Sequence, residues 1–126
     1  MDDLLRDIKS RVQPGDRETL QSIIDRIGDK WSVMALVIIS KQPRRFTDLL
    51  EIVPGISRRM LTVTLRQLER DGLITRVVQV EVPPRVEYTI TELGLTARGP
   101  LSAMLEWALD HRDQILSNRE TYDKLV

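Results

Sequence analysis

Between Pro54 and Gly72 the chain reads PGISRRMLTVTLRQLERDG, and Arg58, Arg59, Arg66 and Arg70 stand there among small and apolar side chains. A guanidinium is a permanently charged, planar fork of N–H donors that matches a guanine edge or a pair of phosphate oxygens. Thr62 and Val63, lying between the arginines, are small enough to fit against base edges, and Val63 offers only apolar contact, such as to a thymine methyl group. This set suits recognition of a nucleic acid. Bond-making chemistry has little to work with. The chain has no cysteine and one histidine, His111, which excludes disulfides, thiolate metal sites, thiol redox sensing and multi-histidine metal centres. No Gly-rich phosphate loop or nucleophile elbow is present, and carboxylates such as Glu69, Asp71 and Glu106 stand isolated. We therefore expect no enzyme activity, no metal and no cofactor.

The arginines need a rigid mount, and the same stretch supplies one. Pro54-Gly55 predicts a turn, and Ser57 can cap the unpaired N–H groups at a helix start. Ile56 before the cap and Leu61 after it can close as a hydrophobic staple. Leu61, Leu65 and Leu68 recur at helical spacing as a buried stripe, and Gly72 suits the left-handed residue that ends a helix. On its own, such a helix reads equally well as one inserted in a DNA major groove or as one with an ordinary solvated basic face.

The flanking segments favour the first reading. Leu4, Leu5, Ile8 and Val12 give a short amphipathic helix an apolar edge, ended by Pro14-Gly15. Asp16 is placed to cap a second helix, in which Leu20, Ile23, Ile24 and Ile27 form a stripe and Gly28 is the stop. Asp29 opens a third, Lys30 to Ser40, apolar nearly all round and so expected at the centre of a core. Trp31 there reads as packing, with a ligand pocket as the alternative. Pro43 stops this helix, Arg44-Arg45-Phe46 reads as a short extended piece, and Thr47 is the expected cap of a fourth helix with Leu49, Leu50 and Val53 inward. Two helices joined by a tight turn containing Gly, the second exposed and basic, form a helix-turn-helix.

After Gly72 the period becomes strand-like: Ile74 to Val82 is rich in β-branched residues, and Val86, Tyr88 and Ile90 alternate with Glu87 and Thr89. Pro83-Pro84 cannot supply the positive φ angles of a two-residue turn, so a longer loop is expected. A hairpin after a recognition helix is a wing. Arg85 near its tip is positioned either for a phosphate or minor-groove contact or for pairing with Glu81 or Glu87. Thr91 caps the last helical region, and Gly99-Pro100 predicts a kink or break. Beyond it, Leu101, Met104, Leu105, Ala108, Leu109, Ile115 and Leu116 form an apolar band, with Trp107 on another side. With the first helix, this band reads as a dimer interface; the alternative is that both ends fold back on their own core.

Of 126 residues, 41% are hydrophobic and 30% charged, as in a single globular domain. Net charge is zero, but residues 41–76 hold eight basic and four acidic side chains between two acidic flanks. Trp31 to Ile39 is too short to cross a bilayer, and the start MDDLLRDIKS lacks a signal-peptide core, which points to a cytoplasmic protein.

The blocks IGDKWSVMALVII, PRRFTDLL, PGISRRMLTVTLRQLERDGLI and VPPRVEYTIT followed by LG, in that order over roughly residues 20–95, resemble the HxlR family of bacterial transcription regulators. The resemblance implies a MarR-like winged helix-turn-helix, mainly α with a small β-hairpin, dimerised through terminal helices. It places Ser57 to Arg66 in the DNA-reading part and Pro84 to Tyr88 in the wing. Two departures stand out. Many members carry a sensing cysteine ahead of the IGxKW block, and here Glu18 and its neighbours offer no thiol. The recognition helix often carries glutamines where this chain has Val63 and Thr64, so the target sequence should differ.

The combined expectation is one domain: a dimerisation helix in residues 1–14, a winged-helix core in 16–91 and dimerisation helices in 92–126. The partners expected are double-stranded DNA, a second copy of the chain and a small hydrophobic effector lodged between the terminal helices and the third helix; no membrane is involved. Arg58, Arg59 and Arg66 are expected on guanine or phosphate, Thr62 and Val63 on base edges, and Arg44, Arg45 and Arg85 on the backbone. The function expected is a repressor on an inverted-repeat operator. The competing reading is a winged-helix module that binds protein and never touches DNA.

Overall fold

Asp29 accepts a hydrogen bond from the Ser32 N–H at 3.2 Å and so starts the helix on which the fold is assembled. In the computed structural model, which describes residues 2–126, this helix is the third of six. The order is α1 (Asp2–Arg11), α2 (Asp16–Gly28), α3 (Lys30–Lys41), α4 (Phe46–Ile52), α5 (Arg58–Arg70), β1 (Ile74–Gln79), β2 (Arg85–Ile90) and α6 (Glu92–Leu125). Val33, Ala35, Leu36 and Ile39 of α3 are buried against Leu49, Val53, Leu61, Leu65, Leu68, Ile74 and Leu101. A helix this apolar leaves no polar face to solvate, which is why the others pack around it.

β1 and β2 pair antiparallel from Ile74↔Ile90 to Gln79↔Arg85. The strand expected to reach Val82 ends at Gln79, and residues 80–84 form the loop. Pro83 and Pro84 cannot donate to a ladder, and Val80 and Val82 are fully exposed. Arg44 adds a single-residue third strand: its N–H donates to the Tyr88 carbonyl at 3.0 Å, and the Tyr88 N–H donates back at 2.7 Å. The hairpin is thereby tied to the segment just before α4.

Several local expectations shift. Gly15 with φ +88° precedes α2, and the Asp16 carboxylate accepts from the Gln13 N–H at 2.7 Å instead of capping the helix. α4 starts at Phe46, one residue before Thr47, because the Asp48 carboxylate accepts from the Arg45 N–H at 3.0 Å. The largest correction concerns Gly99-Pro100. α6 runs without a break through Pro100, so the chain ends in one long helix where two were expected. A proline forfeits one backbone hydrogen bond, and the neighbouring Leu101, 3% exposed, is locked into the core on α3 and holds the helix across that gap. Leu101 is therefore part of the chain's own core and is removed from the expected dimer surface.

Thr91 does cap α6, accepting from the Gly94 N–H at 3.0 Å, and its hydroxyl also reaches the carbonyls of Gly72 and Leu73. The end of α5, the root of the wing and the start of α6 meet at this one side chain.

Candidate nucleic-acid interface

Ser57 stands just outside α5 and accepts from the Met60 N–H at 3.0 Å, as its position in the sequence implies. Ile56 and Leu61 are both in the core, consistent with the staple, and Leu61, Leu65 and Leu68 are at most 2% exposed. Gly55 (φ +78°) turns the chain between α4 and α5, and Gly72 (φ +77°) ends α5. At the far end Arg26 of α2 donates from Nε to the Asp71 carboxylate at 3.0 Å. The helix is fixed at its start, along its buried stripe and at its end.

The opposite face is open. Arg58, Arg59, Arg66 and Arg70 are exposed, as are Met60 and Val63. Arg59, Val63, Arg66 and Arg70 follow at helical spacing along one stripe. Thr62 is half-buried, and its hydroxyl donates to the Arg58 carbonyl at 2.8 Å, which leaves it as an acceptor and a methyl surface. Thr64 lies in the core at 1% exposure, so of the two departures from the family's glutamines only Val63 can alter what the helix reads.

Around α5 the structure assembles further cations. Arg45 is exposed at the start of α4, and Arg44 is half-buried under the wing with its Nε buried and unpartnered. Arg85 pairs with Glu87 on its own strand at 2.9 Å, which agrees with the second of the two readings of that residue, and its Nε is likewise unpartnered. Arg76 was not singled out by sequence. It lies on β1 opposite Tyr88 and lines a cleft with Arg66. The signal was available in the period-two pattern of the strand, which puts Arg76 on the same hairpin face as Tyr88.

Among the described residues the ion pairs formed by arginine involve Arg11, Arg26, Arg85 and Arg112. None involves Arg44, Arg45, Arg58, Arg59, Arg66, Arg70 or Arg76. The cations of the helix-turn-helix and wing root are thus free of ion-pair partners among the described residues, which leaves them available to phosphates.

The remaining expected residues lie elsewhere. Leu4, Leu5 and Ile8 of α1 and Val12 just after it are exposed, as are Met104, Ala108 and Leu109 of α6; Leu105 and Ile115 are half-buried. Leu20, Ile23 and Ile24 of α2 join them as exposed apolar residues, and neither α1 nor α2 buries any residue. An apolar cleft of about 430 Å³ lies between α2 and the start of α6, lined by Ile23, Ile27, Leu73, Leu93 and Ala97 with Thr96 and Asp71. No α3 residue lines it, unlike the expected effector pocket. Among the described residues no group of three metal-ligating side chains converges, and no helix is long and apolar enough to cross a membrane.

A three-helix core carrying a helix-turn-helix, followed by a hairpin tied back to it, is the architecture of a winged-helix transcription regulator. The chain belongs to the HxlR-like helix-turn-helix family, matching it over residues 26–116. It is 40% identical over 96 residues to the HTH-type transcriptional regulator YdeP of Bacillus subtilis (strain 168), covering 76% of this chain and 75% of that one. Among solved structures it is similar to the transcriptional regulator ytfH from Salmonella typhimurium, with a TM-score of 0.74 and 34% identity over 79% of this chain and 89% of that one. The redox regulator HypR in its reduced form superposes with a TM-score of 0.73 and 38% identity, covering 79% and 98%. The chain is accordingly a DNA-binding transcription regulator and not an enzyme.

Proposed function

We propose that two copies of this chain bind an inverted-repeat operator, with one α5 in each of two successive major grooves about 34 Å apart and the wings against the flanking backbone. In this reading Arg59 and Val63 read base edges, while Arg44, Arg45 and Arg58 fix the position of the duplex. Such a dimer seated on a promoter excludes polymerase without further parts, so the regulator acts in the cytoplasm as a repressor. The observation that carries the reading is a helix fixed at both ends whose exposed arginines form no ion pair among the described residues. Pairing of the subunits is supported by the apolar residues that α1, α2 and α6 leave exposed. A small hydrophobic effector would enter the cleft beside Ile23 and Leu93 and alter how α2 meets α5. With no cysteine, the thiol chemistry of a redox regulator is not open to this chain.

Footprinting of the purified protein on the DNA upstream of its own gene tests the proposal. A protected site made of two symmetric halves is expected. Protection of a single half, or none on any promoter fragment, would overturn it.

A further inference from the structure

Beside the outward face of α5 an open cleft of about 390 Å³ is lined by Phe46, Thr62, Arg66, Glu69, Arg76 and Tyr88. Its walls are the start of α4, the flank of α5 and the hairpin face on which Arg76 stands opposite Tyr88. Tyr88 is joined to Arg44 by the paired backbone hydrogen bonds described above, so the wall bearing Arg76 cannot drift from the helix-turn-helix. Two guanidiniums carried by different elements therefore line one cleft. Neither forms an ion pair among the described residues, although Glu69 lines the same space.

Like charges held near one another repel unless an anion lies between them, and one carboxylate leaves this group of three with a net positive charge. The aromatic lining adds only the Tyr88 hydroxyl, which can donate to an oxygen. An anion with several acceptor oxygens fits that set, and Arg in pairs favours phosphate. A phosphate bordering the major groove lies to the side of an inserted helix, and this cleft lies between α5 and the hairpin, with Arg66 on the exposed stripe of α5 forming its edge. Resting on the reading of α5 as the groove helix, the geometry points to this cleft as the seat of one backbone phosphate of the bound duplex, held jointly by Arg66 and Arg76. Arg76 is then a DNA-positioning residue, Arg66 serves the backbone and not a base, and Glu69 limits how tightly the phosphate is held.

A phosphate seat acts on any sequence, so the test uses the full-length protein with a short mixed-sequence duplex and with the footprinted fragment, each titrated over a range of salt. Arg76→Ala should weaken binding to both by the same factor and flatten the plot of log affinity against log salt by about 0.9 per bound subunit. Arg76→Lys should keep the slope. Glu69→Gln should raise affinity for both DNAs at low salt, and it keeps the proposal testable should Arg76→Ala fail to fold in a thermal melt. An unchanged slope in Arg76→Ala, a loss confined to the footprinted fragment, or no gain in Glu69→Gln would overturn the phosphate seat. Wild-type protein with no salt dependence on either DNA would instead overturn the DNA reading itself.

Discussion

Arg26 of α2 reaches Asp71, the residue that follows α5, with 3.0 Å between Nε and Oδ2 and only 16% of the arginine side chain exposed. This contact joins an otherwise weakly buried helix to the end of the DNA-reading one. Asp71 is 34% exposed, so solvent screens the pair, and its coupling should be about 1 kcal/mol. Arg26→Ala and Asp71→Asn should each lower the melting temperature slightly, and the double variant should cost less than the sum. A double-mutant cycle of thermal melts checks this; strictly additive losses would show that the contact contributes nothing.

Two glycines of α6 should respond differently to the same substitution. A Cβ at Gly94 would overlap the Leu73 carbonyl oxygen and the Ile90 side chain. That carbonyl cannot retreat freely, since it accepts from both the N–H and the hydroxyl of Thr91 at 3.1 Å. Gly94→Ala should therefore destabilise the fold by about 1–3 kcal/mol, the usual range for overpacking. At Gly99 an added Cβ meets nothing within 4 Å apart from its chain neighbours. Pro100, however, disfavours a Cβ-bearing residue in the helical conformation before it, which offsets the gain in helix propensity, so Gly99→Ala should change stability by less than about 1 kcal/mol. Chemical denaturation of both variants decides it; equal effects at the two positions would show that the close approach at Gly94 yields.

These two positions also mark how far the sequence could be read. Ser57, Asp29 and Thr91 were legible as caps because each is a short oxygen-bearing side chain directly before a helical run, whereas Asp16 and Thr47, read in the same way, fall inside their helices. The leucine stripe of α5 and the wing were legible too, each following from a period. Pro100 was misread because whether a helix survives a proline depends on what its neighbours pack against, and Leu101 meets residues far away in sequence. Leu101 and Ile24 likewise look alike in sequence, yet one is core and the other is 61% exposed, since periodicity reveals an apolar face and not what covers it. Arg76 was passed over because its weight comes from Arg66 across the cleft, a neighbour that only the folded chain supplies.

Arg59 stands on the exposed stripe of α5 and forms no ion pair among the described residues, so its removal should leave stability unchanged. Arg59→Ala should weaken operator binding by about 1–3 kcal/mol, as for loss of a base contact. Binding to mixed-sequence DNA should fall much less, which separates a base contact from a phosphate contact. Val63 sits one turn further along at 39% exposure, and Val63→Gln should shift the preferred base at one position of each half-site towards adenine. Selection of bound sequences from a random library reads out both. An unaltered consensus in Val63→Gln would remove that residue from the reading face.

Ile24 on α2 and Trp107 on α6 are 61% and 57% exposed, and a charge at either costs the isolated fold little. If these residues meet a second subunit, the same charge has to be buried or expelled, which disfavours assembly strongly. Ile24→Glu and Trp107→Glu should therefore leave the circular dichroism of the folded chain intact while moving the protein from dimer to monomer in sedimentation at micromolar concentration. Operator affinity should fall with the dimer, because a lone α5 engages one half-site and loses the gain from binding two at once. Val80→Glu, on the fully exposed loop of the wing, serves as the control and should leave the dimer unchanged. Should the wild-type chain sediment as a monomer, or should Ile24→Glu and Trp107→Glu remain dimeric, the subunits do not pair through α2 and α6.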